Sequence, residues 1–435
     1  MAGAMQRGVN APAPATILLT CLRGPADTLR ELCGRPGIDW PRVAREALAH
    51  RVTPLVLEAL QSSGVLADRS VPPTIVAELR LQRRRQVALA VRLDAALAEI
   101  LPALRAVGAP VIVLKGLAVA QLYPAPALRP RSDLDLLIDP ADWPAAEQAL
   151  EAMGYHLLEA AHTRRPRLSP VQNPEDRQYY RAADGLLIEA HADVLSTGLR
   201  RAGDALVWRR AELATVRGPR GGTIRTIPVL SPGDTFLHLA THLQRHAYTR
   251  LLWFYDLWLL LRAEGERIAW DEVARQAQRA GVATAAYYAM RYTEALLGPA
   301  APPRARDALR PNPLRRRLHE GMWPRRRILA LDVEIIPLLD AMQAAHQLPP
   351  TVFDAYDSPQ RMLSHLLLSG NVWPKSRVLA RRLLPPEEWL RHHGPARVGH
   401  YRARLVLAHL LRCSTGQDTL QYGGDRAEGR LGGGA

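Results

Sequence analysis

Five short β-rich apolar runs fall between residues 111 and 230 and constrain the chain most: Val111–Leu114, Leu134–Ile138, Tyr155–Leu158, Leu186–Ile188 and Ile224–Leu230. Helical patterns, notably Leu117–Leu122 and Pro140–Met153, separate several of them. Strands that alternate with helices must share a sheet, which predicts an α/β or α+β core. The flanks read differently. Leu18, Leu19 and Leu22, then Val43, Ala44, Ala47 and Leu48, recur at helical spacing, and Thr74–Ile100 carries one long apolar stripe. After the last run, Ser231 as N-cap, Pro232 at the first helical position and Asp234 at the third announce a helix. The predicted fold class is therefore α+β: a helical N-terminal section over 1–104, a mixed-sheet core over 105–230 and a helical C-terminal domain over 231–412. Pro299–Pro313 interrupts that last domain, and a disordered tail is expected over 413–435.

Composition narrows the function classes. With 48% hydrophobic and 23% charged residues, the 435-residue chain is not disordered as a whole. The longest apolar stretch, Leu251–Leu261, is 11 residues and contains Asp256, where a membrane span needs about 20, so no membrane partner is expected. Ala15–Leu22 resembles a signal peptide, but no small-residue cleavage site follows and the run leads into amphipathic helix. Cys21, Cys33 and Cys413 form neither a disulfide framework nor a metal-ligand spacing, which points to a reducing compartment and a cytoplasmic location. The net charge of +15 admits a nucleic-acid partner. The arginine clusters at 83–85, 315–317 and 325–327 are scattered, however, and read better as solvated helix faces. Lys115 and Lys375 are the only lysines in an arginine-rich, proline-rich chain, a bias typical of a GC-rich genome.

Chemistry concentrates in Val113–Leu117, of sequence Val-Leu-Lys-Gly-Leu, and in Arg129–Leu137, of sequence Arg-Pro-Arg-Ser-Asp-Leu-Asp-Leu-Leu. Asp133 and Asp135 flank one apolar residue on a strand, so both carboxylates leave one sheet face while Leu134 and Leu136 enter the core. Two such charges repel unless a divalent cation neutralises them. Glu189, within Leu186–His191, adds a third acid on another apolar strand. Three carboxylates from neighbouring strands are what Mg²⁺-dependent phosphoryl or nucleotidyl transfer uses.

Gly116 after an apolar strand, the Asp133/Asp135 pair and Glu189 resemble the nucleotidyltransferase fold of the DNA polymerase β superfamily. The further run of Lys115-Gly116, Tyr123-Pro124, Arg129, Gly154-Tyr155, Glu189-Ala-His191, His242, Trp253 and Asp256, with Asp39-Trp40 and Ala47…His50-Arg51-Val52 upstream, resembles the bacterial uncharacterised nucleotidyltransferase family over roughly 20–410. The resemblance implies transfer of a nucleoside monophosphate from a nucleoside triphosphate to an acceptor, with two Mg²⁺ ions. It implies Asp133, Asp135 and Glu189 as catalytic metal ligands, and Lys115, Gly116, Arg129, Arg131 and Ser132 as nucleotide-binding residues. Lys115-Gly116 replaces the Gly-Ser or Gly-Gly of many superfamily members, and the interval to Asp133 is longer, so the Lys115 ammonium is expected to take the serine hydroxyl's part. The alternatives are a catalytically inactive binding module on the same fold, and a nucleic-acid binder.

His238, His242 and His246 follow at i, i+4, i+8, a spacing that places them on one helical face and can bind zinc, but no acid or cysteine stands at motif spacing. Hydrogen-bonded histidines at an interface are the better reading. His191, His242 and Asp256 are candidates for acceptor or cleft contacts. Since 242 and 256 would lie about 21 Å apart on one straight helix, both serve one site only if the chain bends, so two helices meeting near Tyr248 are expected; the alternative is an Asp256 that caps or salt-bridges within the helical domain.

Overall fold

In the computed structural model, residues 12–158, 177–195, 205–218, 224–246 and 248–331 are described. The helices expected beyond 331 and the tail lie outside them. Five helices lead: α1 (Pro14–Arg23), α2 (Ala26–Cys33), α3 (Trp40–Ala49), α4 (Thr53–Ser62) and the long α5 (Pro73–Ala106). Asp39 starts α3 by accepting the Arg42 amide at 2.9 Å, with Pro41 in the first turn, where its missing N–H is not needed.

The sheet region follows in the order β1 (Val111–Val113), α6 (Lys115–Ala120), β2 (Leu134–Ile138), α7 (Trp143–Ala152), β3 (His156–Leu157), β4 (Arg177–Arg181), β5 (Leu186–His191), α8 (Ala205–Arg210), β6 (Glu212–Arg217) and β7 (Ile224–Val229). The strands lie side by side as β3-β4-β5-β2-β1-β7-β6. The β2–β5 and β1–β7 pairs are parallel and the others antiparallel, so the sheet is mixed. Two strands carry no apolar run and escaped the sequence reading. In β4, Arg-Gln-Tyr-Tyr-Arg is too polar to stand out, and in the edge strand β6 only Val216 is buried.

Side-chain alternation gives the sheet two different faces. Val111, Val113, Leu134, Leu136, Ile138, Ile188 and Ala190 pack with Leu93, Leu97, Ile100 and Leu104 of α5 and Ala146 and Leu150 of α7. Ile112, Leu114 and Leu137 face the opposite way, into a second core built from α1–α4 and the C-terminal helices. The helical sections before and after the sheet thus share one core on the face that also carries Asp133, Asp135, Glu189 and His191.

The C-terminal helices are α9 (Pro232–Arg245), α10 (Leu251–Glu264), α11 (Trp270–Arg279), α12 (Ala283–Leu297), α13 (Pro303–Leu309), α14 (Pro313–Met322) and α15 (Arg325–Leu329). Ser231 Oγ accepts the Asp234 amide at 3.2 Å, the cap expected at the start of α9. The chain reverses between α9 and α10 through Tyr248, whose φ of +59° is the left-handed conformation of a tight turn. The stretch Pro299–Pro313 contains α13 rather than a plain interruption, because Pro303 and Pro313 occupy first-turn positions, where proline starts helices. Among the described residues, no helix is long and apolar enough to cross a membrane.

Candidate active site

The site is laid out by strand register. Asp135 of β2 pairs with Glu189 of the parallel β5, and Glu189 pairs in turn with Gln178 of β4, so the three side chains form one row across three strands. Residues two apart on a strand share a face, which adds Asp133 and His191 to the same patch. Gln178 Nε2 donates to Glu189 Oε1 at 2.9 Å. His191 Nε2 stands 3.2 Å from Asp135 Oδ1 and 3.8 Å from Glu189 Oε2. Lys115, at the start of α6, places Nζ 2.9 Å from the same Asp135 Oδ1.

These neighbours separate the two aspartates. Burial would raise both carboxyls. At Asp135 the Lys115 ammonium and the His191 hydrogen bond outweigh burial and hold the group well below the usual carboxylate range. At Asp133 burial is reinforced by repulsion from Asp135 and Glu189, and despite Lys115 and Arg51 the carboxyl is pushed up to about 7. Burial opposes the Lys115 charge, but Asp135, Glu189 and Asp133 together raise its pKa. The patch is an excess of negative charge that one lysine does not balance.

Donor atoms of Asp135, Glu189 and His191 all lie within 4.8 Å of one another, a spacing that one metal ion can bridge. Asp135 Oδ2 is buried with no hydrogen-bond partner, and such an atom costs about 1–3 kcal/mol unless something binds it. Carboxylate oxygens with one imidazole suit a hard or borderline divalent ion, so the residues fit the cation that the sequence implies. The tight trio includes His191, while Asp133 lies on the same face at the entry to β2.

The basic residues are distributed differently from the sequence expectation. Arg129 makes a bidentate pair with Asp256, Nε to Oδ1 at 2.8 Å and Nη2 to Oδ2 at 2.7 Å, and its Nη1 donates to the Gly116 carbonyl at 3.3 Å. Tyr123 Oη donates to Asp256 Oδ1 at 2.7 Å, so both Asp256 oxygens are engaged. Arg131 is buried against Asp94 and the Ala90 carbonyl of α5. The two guanidiniums expected at the phosphates therefore anchor the segment between α6 and β2. At Gly116, buried at the start of α6, an added Cβ would touch only Arg131 Cδ, at 3.9 Å, so crowding does not require glycine there. Ser132 Oγ accepts from Arg51 Nη1 at 3.1 Å. Arg51 has a φ of +56° and sits in the turn between α3 and α4, so the N-terminal helices reach the site. His50 beside it ties that turn to α10, its carbonyl accepting the Leu252 amide at 3.2 Å.

Helix α9 bears His238 and His242, both buried and held neutral by burial first and then by the Lys115 charge. His238 Nδ1 donates to the Val194 carbonyl, three residues past His191, at 2.6 Å. His242 and His246 pack on Trp253, ring centroids 4.8 and 4.6 Å away. The ring centroids stand 6.4 Å apart at 238 and 242 and 4.4 Å apart at 242 and 246, and the group that could hold a metal ion among the described residues does not include this histidine row. The sequence reading gave no site role to Gln178 or to Arg51, although Arg51 stands in the run that carries the family resemblance. Gln178 lies on the unrecognised β4, and nothing near Arg51 in the sequence says that it reaches Ser132.

The family described as "Uncharacterised nucleotidyltransferase" matches residues 36–298, which includes the sheet, all the acids and α9–α12. No curated protein and no solved structure matches the chain.

Proposed function

This chain belongs to the uncharacterised nucleotidyltransferase family, and on that footing we propose that it moves a nucleoside monophosphate from a nucleoside triphosphate to an acceptor hydroxyl, by the divalent-cation chemistry of the polymerase β-like superfamily it resembles. The observation that carries the proposal is the Asp135–Glu189 register pair with His191 inside a 4.8 Å trio, flanked by Asp133 on the same face. Asp133, Asp135 and Glu189, with His191 beside them, would hold Mg²⁺, and two ions match three carboxylates. When bound, the cations polarise the phosphates and offset the charge that develops in transfer.

The acceptor oxygen forms its bond to the α-phosphorus as the bond from that phosphorus to the bridging oxygen breaks, and the electron pair leaves with pyrophosphate. The hydroxyl proton goes to Glu189 Oε2, since Gln178 holds Oε1 and thereby orients the carboxylate. Asp256 is the poorer base because Arg129 and Tyr123 engage both its oxygens. Lys115 keeps Asp135 ionised and adds a compact positive charge beside the phosphates. His191 positions Asp135 and Glu189 from one nitrogen.

The test is incubation with α-labelled nucleoside triphosphates, Mg²⁺ and acceptors drawn from cell extract, read as label transfer and as a mass shift of the acceptor. Transfer that needs Mg²⁺ and disappears in Asp135→Asn supports the reading. Binding of nucleotide without transfer to any fraction identifies an inactive binding module, and retention on nucleic acid with no nucleotide binding overturns the proposal.

A further inference from the structure

Helix α3 ends in a turn that glycine closes at least cost. The Arg51 amide donates to the Leu48 carbonyl at 2.9 Å and the Val52 amide to the Ala47 carbonyl at 2.8 Å, the paired bonds of a Schellman turn, which put residue 51 in the left-handed conformation. Helices α5, α7 and α11 end in the same two bonds, each with glycine in that place: Gly108 at φ +73°, Gly154 at +79° and Gly281 at +70°. At the end of α3 the place is taken by Arg51 at φ +56°, where a Cβ makes the conformation costly. A residue kept at such a cost points to its side chain, and Arg51 Nη1 donates to Ser132 Oγ at 3.1 Å.

The other side of the turn is fixed as well. The first amides of α10 have no partner within their own helix, and buried His50 meets them: its ring Nδ1 accepts the Leu251 amide at 3.4 Å and its carbonyl the Leu252 amide at 3.2 Å. Arg250, which precedes α10, makes no side-chain cap, so the α3–α4 turn caps this helix instead. Helix α10 in turn carries Asp256, the partner of Arg129. The segment that enters β2 is thus held at Arg129 by α10, at Arg131 by Asp94 of α5 and at Ser132 by the α3–α4 turn.

The last of these anchors adjoins Asp133. The ladder between β2 and β5 begins at Leu134 opposite Ile188, and the trio within 4.8 Å consists of Asp135, Glu189 and His191. Strand register places those three, whereas Asp133 stands one residue before the ladder and depends on how the chain arrives at 132. We propose that Arg51 is a positioning residue: through Ser132 it fixes the entry to β2 and thereby holds the Asp133 carboxylate toward the cation that the trio would bind. The inference rests on the nucleotidyl-transfer reading above, which needs that cation.

Charge and placement predict opposite signs. By Coulomb's law alone, removing the Arg51 cation strengthens the binding of another cation nearby, whereas removing a prop weakens it. Mn²⁺ titrated into the full chain without nucleotide, with the bound ion read by electron paramagnetic resonance, measures this apart from turnover. For Arg51→Gly, which suits the left-handed turn, the expected result is Mn²⁺ affinity lowered about 3- to 10-fold, with the denaturant midpoint of the metal-free chain at or above wild type. Arg51→Lys should recover part of the affinity. Ser132→Ala leaves the α3 turn untouched and should lose affinity in the same range, so it decides the matter if Arg51→Gly does not fold. In an Asp133→Asn background, Arg51→Gly should change Mn²⁺ affinity by less than about twofold, because its effect passes through that carboxylate. Affinity unchanged or tighter in either folded variant, or an undiminished further loss in the Asp133→Asn background, overturns the inference while leaving the function standing. A wild-type chain that binds no Mn²⁺ overturns the cation site of the nucleotidyl-transfer reading, and the inference with it.

Discussion

Replacing Asp256 with asparagine keeps the side-chain shape and removes the counter-charge of a fully buried pair. In the wild type, Arg129 is 5% exposed and Asp256 is 0% exposed, and the carboxylate accepts three hydrogen bonds from Arg129 and Tyr123. The amide retains one oxygen, and its NH₂ group faces a guanidinium N–H, donor against donor. Breaking a buried ion pair from one side costs about 3–5 kcal/mol because the remaining charge has no partner. That is a large share of a total stability of about 5–15 kcal/mol. Denaturant unfolding followed by fluorescence of the nine tryptophans measures it. The double variant Arg129→Met with Asp256→Leu removes both charges and should be less destabilised than Asp256→Asn alone, by about 2 kcal/mol or more. Since the pair also fixes the loop after Gly116, folded Asp256→Asn protein should bind nucleotide more weakly while its transfer step continues. An Asp256→Asn protein within about 1 kcal/mol of wild type, or a double variant as unstable as the summed single changes, refutes the argument. Loss of transfer in a variant that is fully folded and binds nucleotide normally would instead assign Asp256 to the chemistry.

Asp133→Asn removes a charge that burial disfavours first and Asp135 and Glu189 then repel, so the metal-free protein should unfold at higher denaturant, by about 1 kcal/mol, while Mg²⁺-dependent transfer falls by at least about 100-fold. Lys115→Arg places a wider guanidinium where an ammonium sits 2.9 Å from Asp135, and nucleotide affinity measured by calorimetry should drop about tenfold; turnover and binding like wild type would exclude a specific role for the ammonium. His50 and His319 are buried and neutral in the folded chain, their pKa values lowered by burial from 6.5 to about 4 and about 3. The unfolded chain therefore binds the extra protons, so stability is complete above pH 6.5 and declines as the pH falls toward those values, at up to about 1.4 kcal/mol per pH unit for each histidine. His319→Phe, which can keep the ring stack on Tyr288, should make that acid decline shallower in pH-dependent unfolding.

What the sequence by itself determined is what depends on neighbours along the chain. Alternation in Asp133-Leu-Asp135-Leu dictated which side chains share a face, Ser231-Pro232 dictated where α9 begins, and the 14-residue interval from His242 to Asp256 lets both serve one site only with a bend such as the one at Tyr248. The mixed sheet between helical flanks followed from the same local periodicities. Pairing across the chain was a different matter. Nothing local marks Gln178 as the neighbour of Glu189, because the register of a polar strand is chosen by the strands on either side of it. Nor does any local pattern say which arginines meet acids. Arg129 finds Asp256 from 127 positions away and Arg131 finds Asp94 from 37, whereas Arg245 ends beside a histidine. Charge is written in the sequence, but burial and the low dielectric that makes one partner worth more than another exist only once the helices close over the sheet, so which arginines become buried anchors was decided by tertiary structure alone.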